Sequence, residues 1–288
     1  MNLPKPSKLR TFLILGRVSN LPTVWSNCLA GWWLAGPRPW GALFSVSLWA
    51  SLMYVGGMFL NDAFDAGFDR NHRPTRPIPS GQIGEGEVWI WGFGWLIIGF
   101  AGFCTMGKTT AILATFLALA ILVYNAIHKM VVLAPLVMGL CRFFVYLAAA
   151  SVAFYGVIGE VVWKALALAG YVVGLSCLAR KETAPVRIQY WPAILLATPI
   201  FVAVLFDDGL DKRTALFGSV LLAGWAGWTL LQTYGKAHPN VGNAVSRLLA
   251  GICIVDFLAV ADMPHFTTLL FFLYFLIALA LQRAIPAT

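Results

Sequence analysis

The sequence predicts an all-α fold, a multi-pass transmembrane helical bundle of nine or ten helices, and three observations lead there. Of the 288 residues, 60% are hydrophobic and only 11% charged, far from the mixed surface a soluble domain carries. The apolar residues fall into about ten stretches, each near the roughly 20 residues a helix needs to span hydrocarbon. Alternation at period two is absent, which argues against a β-barrel.

The stretches lie near residues 20–36, 41–65, 86–107, 108–127, 131–155, 160–180, 189–206, 213–234, 241–262 and 266–284. The first follows the basic start "MNLPKPSKLR". No small-residue cleavage site follows a short apolar core there, so this helix is expected to stay as an anchor. The second runs directly into a charged connection. The third to eighth are joined mostly by short links, so consecutive helices should pack as antiparallel neighbours. The fifth carries Arg142 about eleven residues in, near mid-membrane by the 1.5 Å rise. The ninth carries Arg247 and Asp256 and is the stretch whose spanning is least secure. No linker or low-complexity region divides the chain, so residues 1–288 read as one membrane domain. Cys28, Cys104, Cys141, Cys177 and Cys253 all fall inside apolar stretches without metal spacing, and read as small buried residues.

A net charge of +8 could point to nucleic acid, but in a membrane chain its distribution between loops is more telling. With ten segments, one side holds Lys5, Lys8, Arg10, Arg17, Arg70, Arg73, Arg76, Lys129, Arg180, Lys181, Arg187, Lys236 and Arg283. The other holds only Arg38, Lys108, Lys164, Lys212 and Arg213. The rich side is expected to be cytoplasmic, and no nucleic-acid partner is expected. The three polar connections of most interest, Asn61 to Gly81, "YNAIHK" and "ARKETAPVR", all emerge on that side.

In "NDAFDAGFDR", Asp62, Asp65 and Asp69 are spaced i, i+3, i+7, with Asn61 four residues before Asp65. A helix places them on one stripe. Neighbouring carboxylates at roughly 6 Å repel by about 3 kcal/mol per pair at an effective dielectric of about 20, so something positive belongs among them. A solvated network with Arg70, Arg73 and Arg76 would serve, as would a polar helix end at the membrane surface. Against both, Asn61 and Asp62 follow the apolar run "SLMYVGGMFL" directly, at membrane depth, where ionisable groups are functional by default. Several carboxylate oxygens suit a hard ion such as Mg²⁺, completed by substrate phosphates, and the arginines that follow suit phosphate oxygens.

"NDAFDAGFDR" followed by "RPTRPIPSG" resembles the NDxxDxxxD signature and R-P-[IL]-x-x-G tail of the UbiA superfamily of intramembrane prenyltransferases, and "GRVSNLPTVWSNCLAG" is similar to that family's first helix. The resemblance implies helices around a central cavity open to the cytoplasmic side. It also implies transfer of a prenyl group from a Mg²⁺-bound prenyl diphosphate to an acceptor, often aromatic. Asn61, Asp62, Asp65 and Asp69 match its metal motif, Arg73 and Arg76 its basic tail, and Tyr124 and Lys129 the tyrosine and lysine after the fourth helix. The second acidic motif departs from the family: "SCLARKET" offers Glu182 alone beside Arg180 and Lys181. Glu182 is then the candidate for a second ion or a general base, and Arg180 and Lys181 for direct diphosphate contact or for positive-inside anchoring. The "ARKE" feature is similar to the EboC-like branch.

Other polar residues inside apolar stretches fit a cavity. Asn20, Thr23 and Asn27 form one stripe with Arg17 a turn earlier, open to substrate contact or to helix–helix bonding. Arg142 needs a partner, with Asp256 the acidic candidate, and is read equally as structural or as a substrate contact. Phe64, Phe68 and Tyr171 are aromatic candidates to flank an allylic cation. His72 and His128 read as polar interface residues, and His238 and His265 have no metal partners. The expected function is therefore a Mg²⁺-dependent prenyltransferase of the bacterial inner membrane, surrounded by membrane lipid, with its site facing the cytoplasm and an unidentified acceptor. A terpene cyclase acting on the diphosphate alone is the alternative enzyme, and a non-catalytic lipid-binding or transport protein the alternative of another class. A transporter would more typically show related halves and charged helices reaching both faces.

Overall fold

The computed structural model describes residues 7–180, 191–206, 211–234, 240–260 and 265–287. Helices fill every expected stretch: α1 (Lys8–Leu15), α2 (Leu21–Leu34), α3 (Trp40–Phe64), α4 (Ala66–His72), α5 (Glu85–Cys104), α6 (Lys108–Ile127), α7 (Ala134–Ser151) and α8 (Gly159–Arg180) come first. They are followed by α9 (Trp191–Ile194), α10 (Thr198–Phe206), α11 (Asp211–Tyr234), α12 (Val241–Ala250), α13 (Ile252–Ala259) and α14 (His265–Ala284). Among the described residues there is no strand, and 8 helical spans are long and apolar enough to cross a membrane. The chain is an integral membrane protein.

The ninth stretch, the least secure in the sequence, forms the 19-residue helical run Val241–Ala259, long and apolar enough to cross a membrane. It bends at Gly251, where α12 passes to α13. The shorter stretches are elsewhere. The helix of the first stretch, α2, has 14 residues, and the seventh stretch is broken into α9, a 3-10 turn at Leu195–Ala197, and α10. The break leaves Thr198 Oγ1 to bond the carbonyls of Leu195 and Ala167.

Packing follows small residues. Helices α3 and α5 lie against each other over a seam of glycines. A Cβ added at Gly99 would sit 2.8 Å from the Trp49 carbonyl oxygen and 2.9 Å from the Met53 nitrogen, so only glycine allows this approach. At the bundle centre α2 packs on α3, α7, α13 and α14, and α7 packs between α6 and α8. Cys28 and Cys253 are buried as expected, whereas Cys104 is exposed.

At one end of the bundle a second, smaller apolar cluster joins Leu15 of α1, Phe59 and Ala63 of α3, Ile78 and Ile83 of the following loop, and Val88 of α5. It fixes the loop that carries the arginines. The same end receives the chain after α14: Asn20 Nδ2 donates to the Ala287 carbonyl at 2.9 Å. The chain just before α2 and the chain just after α14 thus meet at one end of the bundle.

Candidate active site

The aspartates lie where the helix of α3 hands over to α4. The backbone keeps the i→i−4 pattern across the junction, with Asp65 N bonded to Asn61 O at 3.0 Å and Asp69 N to Asp65 O at 2.8 Å. Asn61, Asp62, Asp65 and Asp69 therefore share one face, as their spacing predicts, and all four are buried.

Each carboxylate is met by a base. Arg17 Nη2 lies 3.1 Å from Asp62 Oδ1 and 3.1 Å from Asn61 Oδ1. Arg17 reaches there because its backbone is left-handed (φ 43), a conformation unusual for a residue with a side chain; it turns the chain from α1 into the 3-10 turn before α2. From the other side, Arg76 Nη1 lies 3.0 Å from Asp62 Oδ1 and 3.2 Å from Asp69 Oδ2. The loop after α4 folds back to allow this, anchored by buried Ile78. Asp65 Oδ1 accepts from Lys129 Nζ at 2.6 Å and lies 3.1 Å from His128 Nε2. Asn61 Nδ2 donates to Asn125 Oδ1, and Asn125 Nδ2 to the Gly57 carbonyl, each at 3.1 Å. Burial pushes the Asp65 carboxyl up, but the hydrogen bonds from His128 and Lys129 outweigh it and hold the group below the usual carboxylate range.

Among the described residues no three His, Cys, Asp or Glu side chains converge as a preformed metal cage. The donor chemistry nonetheless fits a hard cation. Asp69 is 1% exposed, and its Oδ1 is buried without any partner, a costly state for a carboxylate oxygen unless something positive joins it. Oxygen donors alone line the stripe, which suits magnesium rather than a soft metal.

The stripe borders a cavity of about 1040 Å³. Its mouth is basic and polar, with Arg17, Asn61, Asp65, Arg73, Arg76, Tyr124, His128, Lys129 and Arg180 on the wall. Its depth is mostly apolar, built from Leu117 and Ile121 of α6, Val145 of α7, Val172 and Leu175 of α8, and Leu249 and Ile252 after them. Arg180 Nη1 donates to the carbonyls of Val131 and Val132 at 2.8 and 2.9 Å, tying the end of α8 to the loop after Lys129. Lys181 and Glu182 lie outside the described residues.

Asn20, Tyr54 and Arg142 line the deeper wall, and Phe68 the mouth. Asn27 does not line it: fully buried, it accepts from Arg142 Nη1 at 2.9 Å and donates to Asp256 Oδ2 at 2.7 Å. The expected Arg142–Asp256 partnership thus runs through Asn27 rather than as a direct ion pair. Tyr171 is also off the wall, buried and bonded to the Leu248 carbonyl. Phe64 is turned against Trp89. Sequence reasoning missed Tyr54 and Asn125 and set His128 aside as an interface residue. The one available signal was that Asn125 and His128 fall within "YNAIHK", between the two residues singled out there.

A family model described as the UbiA prenyltransferase family matches residues 21–240. Curated relatives include a digeranylgeranylglyceryl phosphate synthase of Ignicoccus hospitalis, 38% identical over 28% of this chain and 26% of its own. They also include a 4-hydroxybenzoate octaprenyltransferase of Pectobacterium atrosepticum, 34% identical over 31% of each chain. The matched stretches thus span about a third or less of these two relatives. Among solved structures, a UbiA homolog from Archaeoglobus fulgidus bound to GPP and Mg²⁺ aligns with TM-score 0.65 at 14% identity, over 94% of this chain and 99% of that one. A structure of digeranylgeranylglyceryl phosphate synthase aligns with TM-score 0.62 at 16% identity, over 95% and 99%. At these identities the structural likeness speaks for the fold.

Proposed function

The chain belongs to the UbiA prenyltransferase family, and on that premise we propose that it is an intramembrane enzyme moving a prenyl group from a prenyl diphosphate to a small lipophilic or aromatic acceptor. One observation carries the proposal: three buried aspartates of one helical stripe, each held by a base, stand at the mouth of a deep apolar cavity. Acids for a cation beside bases for an anion suit a metal diphosphate, and the apolar depth suits its hydrocarbon tail.

In this proposal Asn61, Asp62, Asp65 and Asp69 hold Mg²⁺, which supplies charge neutralisation for the leaving diphosphate. Arg73, Arg76, Lys129 and Arg180 bind the diphosphate oxygens, with Lys181 and Glu182 beside them in sequence. Arg76 and Lys129, now on aspartates, exchange those partners for phosphate oxygens as the substrate enters. The bond between C1 of the prenyl chain and the bridging oxygen then breaks, and its electron pair leaves with the diphosphate. The bases stabilise that growing charge, the largest single contribution expected. The apolar depth keeps water from the allylic cation until an electron pair of the acceptor forms the new bond to C1 and the acceptor loses a proton. Residues 1–288 act as one domain. The excess of Lys and Arg on the mouth side supports a cytoplasmic opening, in a bacterial inner membrane.

The deciding experiment gives the purified protein a radiolabelled prenyl diphosphate and membrane extract. Diphosphate release should require Mg²⁺ and be abolished in Asp62→Ala and Asp65→Ala. Full activity in either variant, or under strong chelation, would overturn the metal assignment. A product containing only prenyl carbons would replace transfer by cyclisation.

A further inference from the structure

The chain that follows α14 is part of the cavity wall. Ile285 N still donates to the Leu281 carbonyl at 2.9 Å, but Pro286 has no N–H and does not continue the helix. From there the side chains alternate as along an extended segment: Ile285 and Ala287 are 9% and 4% exposed, and Pro286 between them is exposed. Ala287 lines the cavity. With the cavity on its inner side and Pro286 turned outward, this part of the wall is a single strap of chain.

One side chain holds the strap in place. Asn20 closes the 3-10 turn Val18–Asn20, is 2% exposed and lines the cavity itself. Its Nδ2 donates to the Ala287 carbonyl at 2.9 Å and to Tyr54 Oη at 3.2 Å, which uses both amide hydrogens. Its Oδ1 accepts from Gln282 Nε2 of α14 at 3.4 Å. A single buried amide thus joins α3, α14 and the strap. Chain just past a helix end ordinarily frays, and α14 sits at the edge of the bundle with little of its span buried. The bond from Asn20 is shielded enough to hold the strap and weak enough, as one neutral hydrogen bond, to let it go.

We propose that residues 285–287, latched by Asn20, are a seal that keeps water from the reaction space while the prenyl cation lasts. This rests on the prenyltransferase reading. There the diphosphate and its bases fill the mouth, so a gap beside Asn20 would be a separate route for water. A water molecule arriving by it would give an electron pair of its oxygen to C1 and lose a proton. The turnover would then end as prenyl alcohol and diphosphate, with the acceptor unused. The latch stands on the turn that presents Arg17 to Asp62: Asn20 N donates to the Arg17 carbonyl at 3.0 Å. Closing the strap and setting the acidic stripe therefore share one short piece of backbone.

The test compares the full chain in lipid nanodiscs with a variant lacking residues 285–288. One readout is the share of geraniol among the products when labelled GPP is turned over with Mg²⁺ and membrane extract. The other needs no turnover: Cys141 lines the cavity, and its modification by a water-soluble methanethiosulfonate is followed by peptide mass, with the exposed Cys104 as internal reference. The deletion should raise the geraniol share about tenfold and the Cys141 rate about tenfold, with Cys104 unchanged. Should the deletion fail to fold, Pro286→Gly loosens the strap by adding backbone freedom and should move both readouts the same way, by about two- to threefold. An unchanged Cys141 rate, or an unchanged geraniol share in a folded variant that still releases diphosphate, overturns the seal. No turnover of GPP by the wild type would overturn the prenyltransferase reading itself, and the Cys141 rate would still decide whether the strap closes the cavity.

Discussion

Lys129 Nζ lies 2.6 Å from Asp65 Oδ1 and 3.8 Å from the centroid of the Phe68 ring. The end of α6 is thereby latched to the α3–α4 junction across the cavity mouth. The lysine head is about one-third exposed, so its tie to Asp65 is partly screened and easily exchanged.

A base that changes partner when diphosphate arrives should matter more to turnover than to stability. Lys129→Met is expected to slow diphosphate release by about 10²- to 10³-fold while shifting the thermal midpoint by only a few degrees. Comparing initial rates with melting curves checks both halves.

Asp65 titrates below the usual carboxylate range, so the unfolded chain takes up this proton at higher pH than the folded one. The stability it contributes is fully present above about pH 4 and lost as pH falls through the lowered folded value. Thermal unfolding of the wild type against Asp65→Asn should show a gap that narrows as pH falls below about 4. A gap that widens on acidification would contradict the sign.

Asp69 has one oxygen on Arg76 and the other without a partner. If that oxygen serves a cation, Asp69→Asn should raise the Mg²⁺ concentration for half-maximal diphosphate release by about tenfold or more. Titrating Mg²⁺ at saturating prenyl diphosphate measures this, and an unchanged half-point would assign Asp69 to Arg76 alone.

The α3–α5 seam gives a test independent of function. A Cβ at Gly99 would meet backbone atoms at 2.8 and 2.9 Å, whereas one at Gly94 has nothing within 4 Å. Gly99→Ala is expected to cost about 1–3 kcal/mol, and Gly94→Ala to be neutral or slightly stabilising. Melting curves of both in the same detergent provide the comparison.

The helices and the acidic stripe were legible because both rest on periodicity. Asp62, Asp65 and Asp69 stand on one face for the reason their spacing gives, and the prolines of the next loop do return Arg76 to them. What stayed hidden depends on contacts between distant helices. Asn27 sits in a stripe with Asn20, yet only packing of α13 onto α2 decides that one lines the cavity and the other carries Arg142 to Asp256. Likewise, nothing in "SLMYVGGMFL" sets Tyr54 apart from its apolar neighbours until α7 brings Arg142 over its ring. Charge made the ninth stretch look doubtful, but Asp256 is internally bonded and the stretch is long and apolar enough to cross a membrane, with a bend at Gly251.

The pairing of Asp62 and Asp69 with Arg17 and Arg76, and of Asp65 with Lys129, hides the acidity of the stripe from bulk solvent. Long-range steering depends on a net field and weakens as salt rises, and a stripe whose charges already cancel projects little field. If these acids take a cation as proposed, its capture is a swap of counterions at contact distance, on which ionic strength has small leverage.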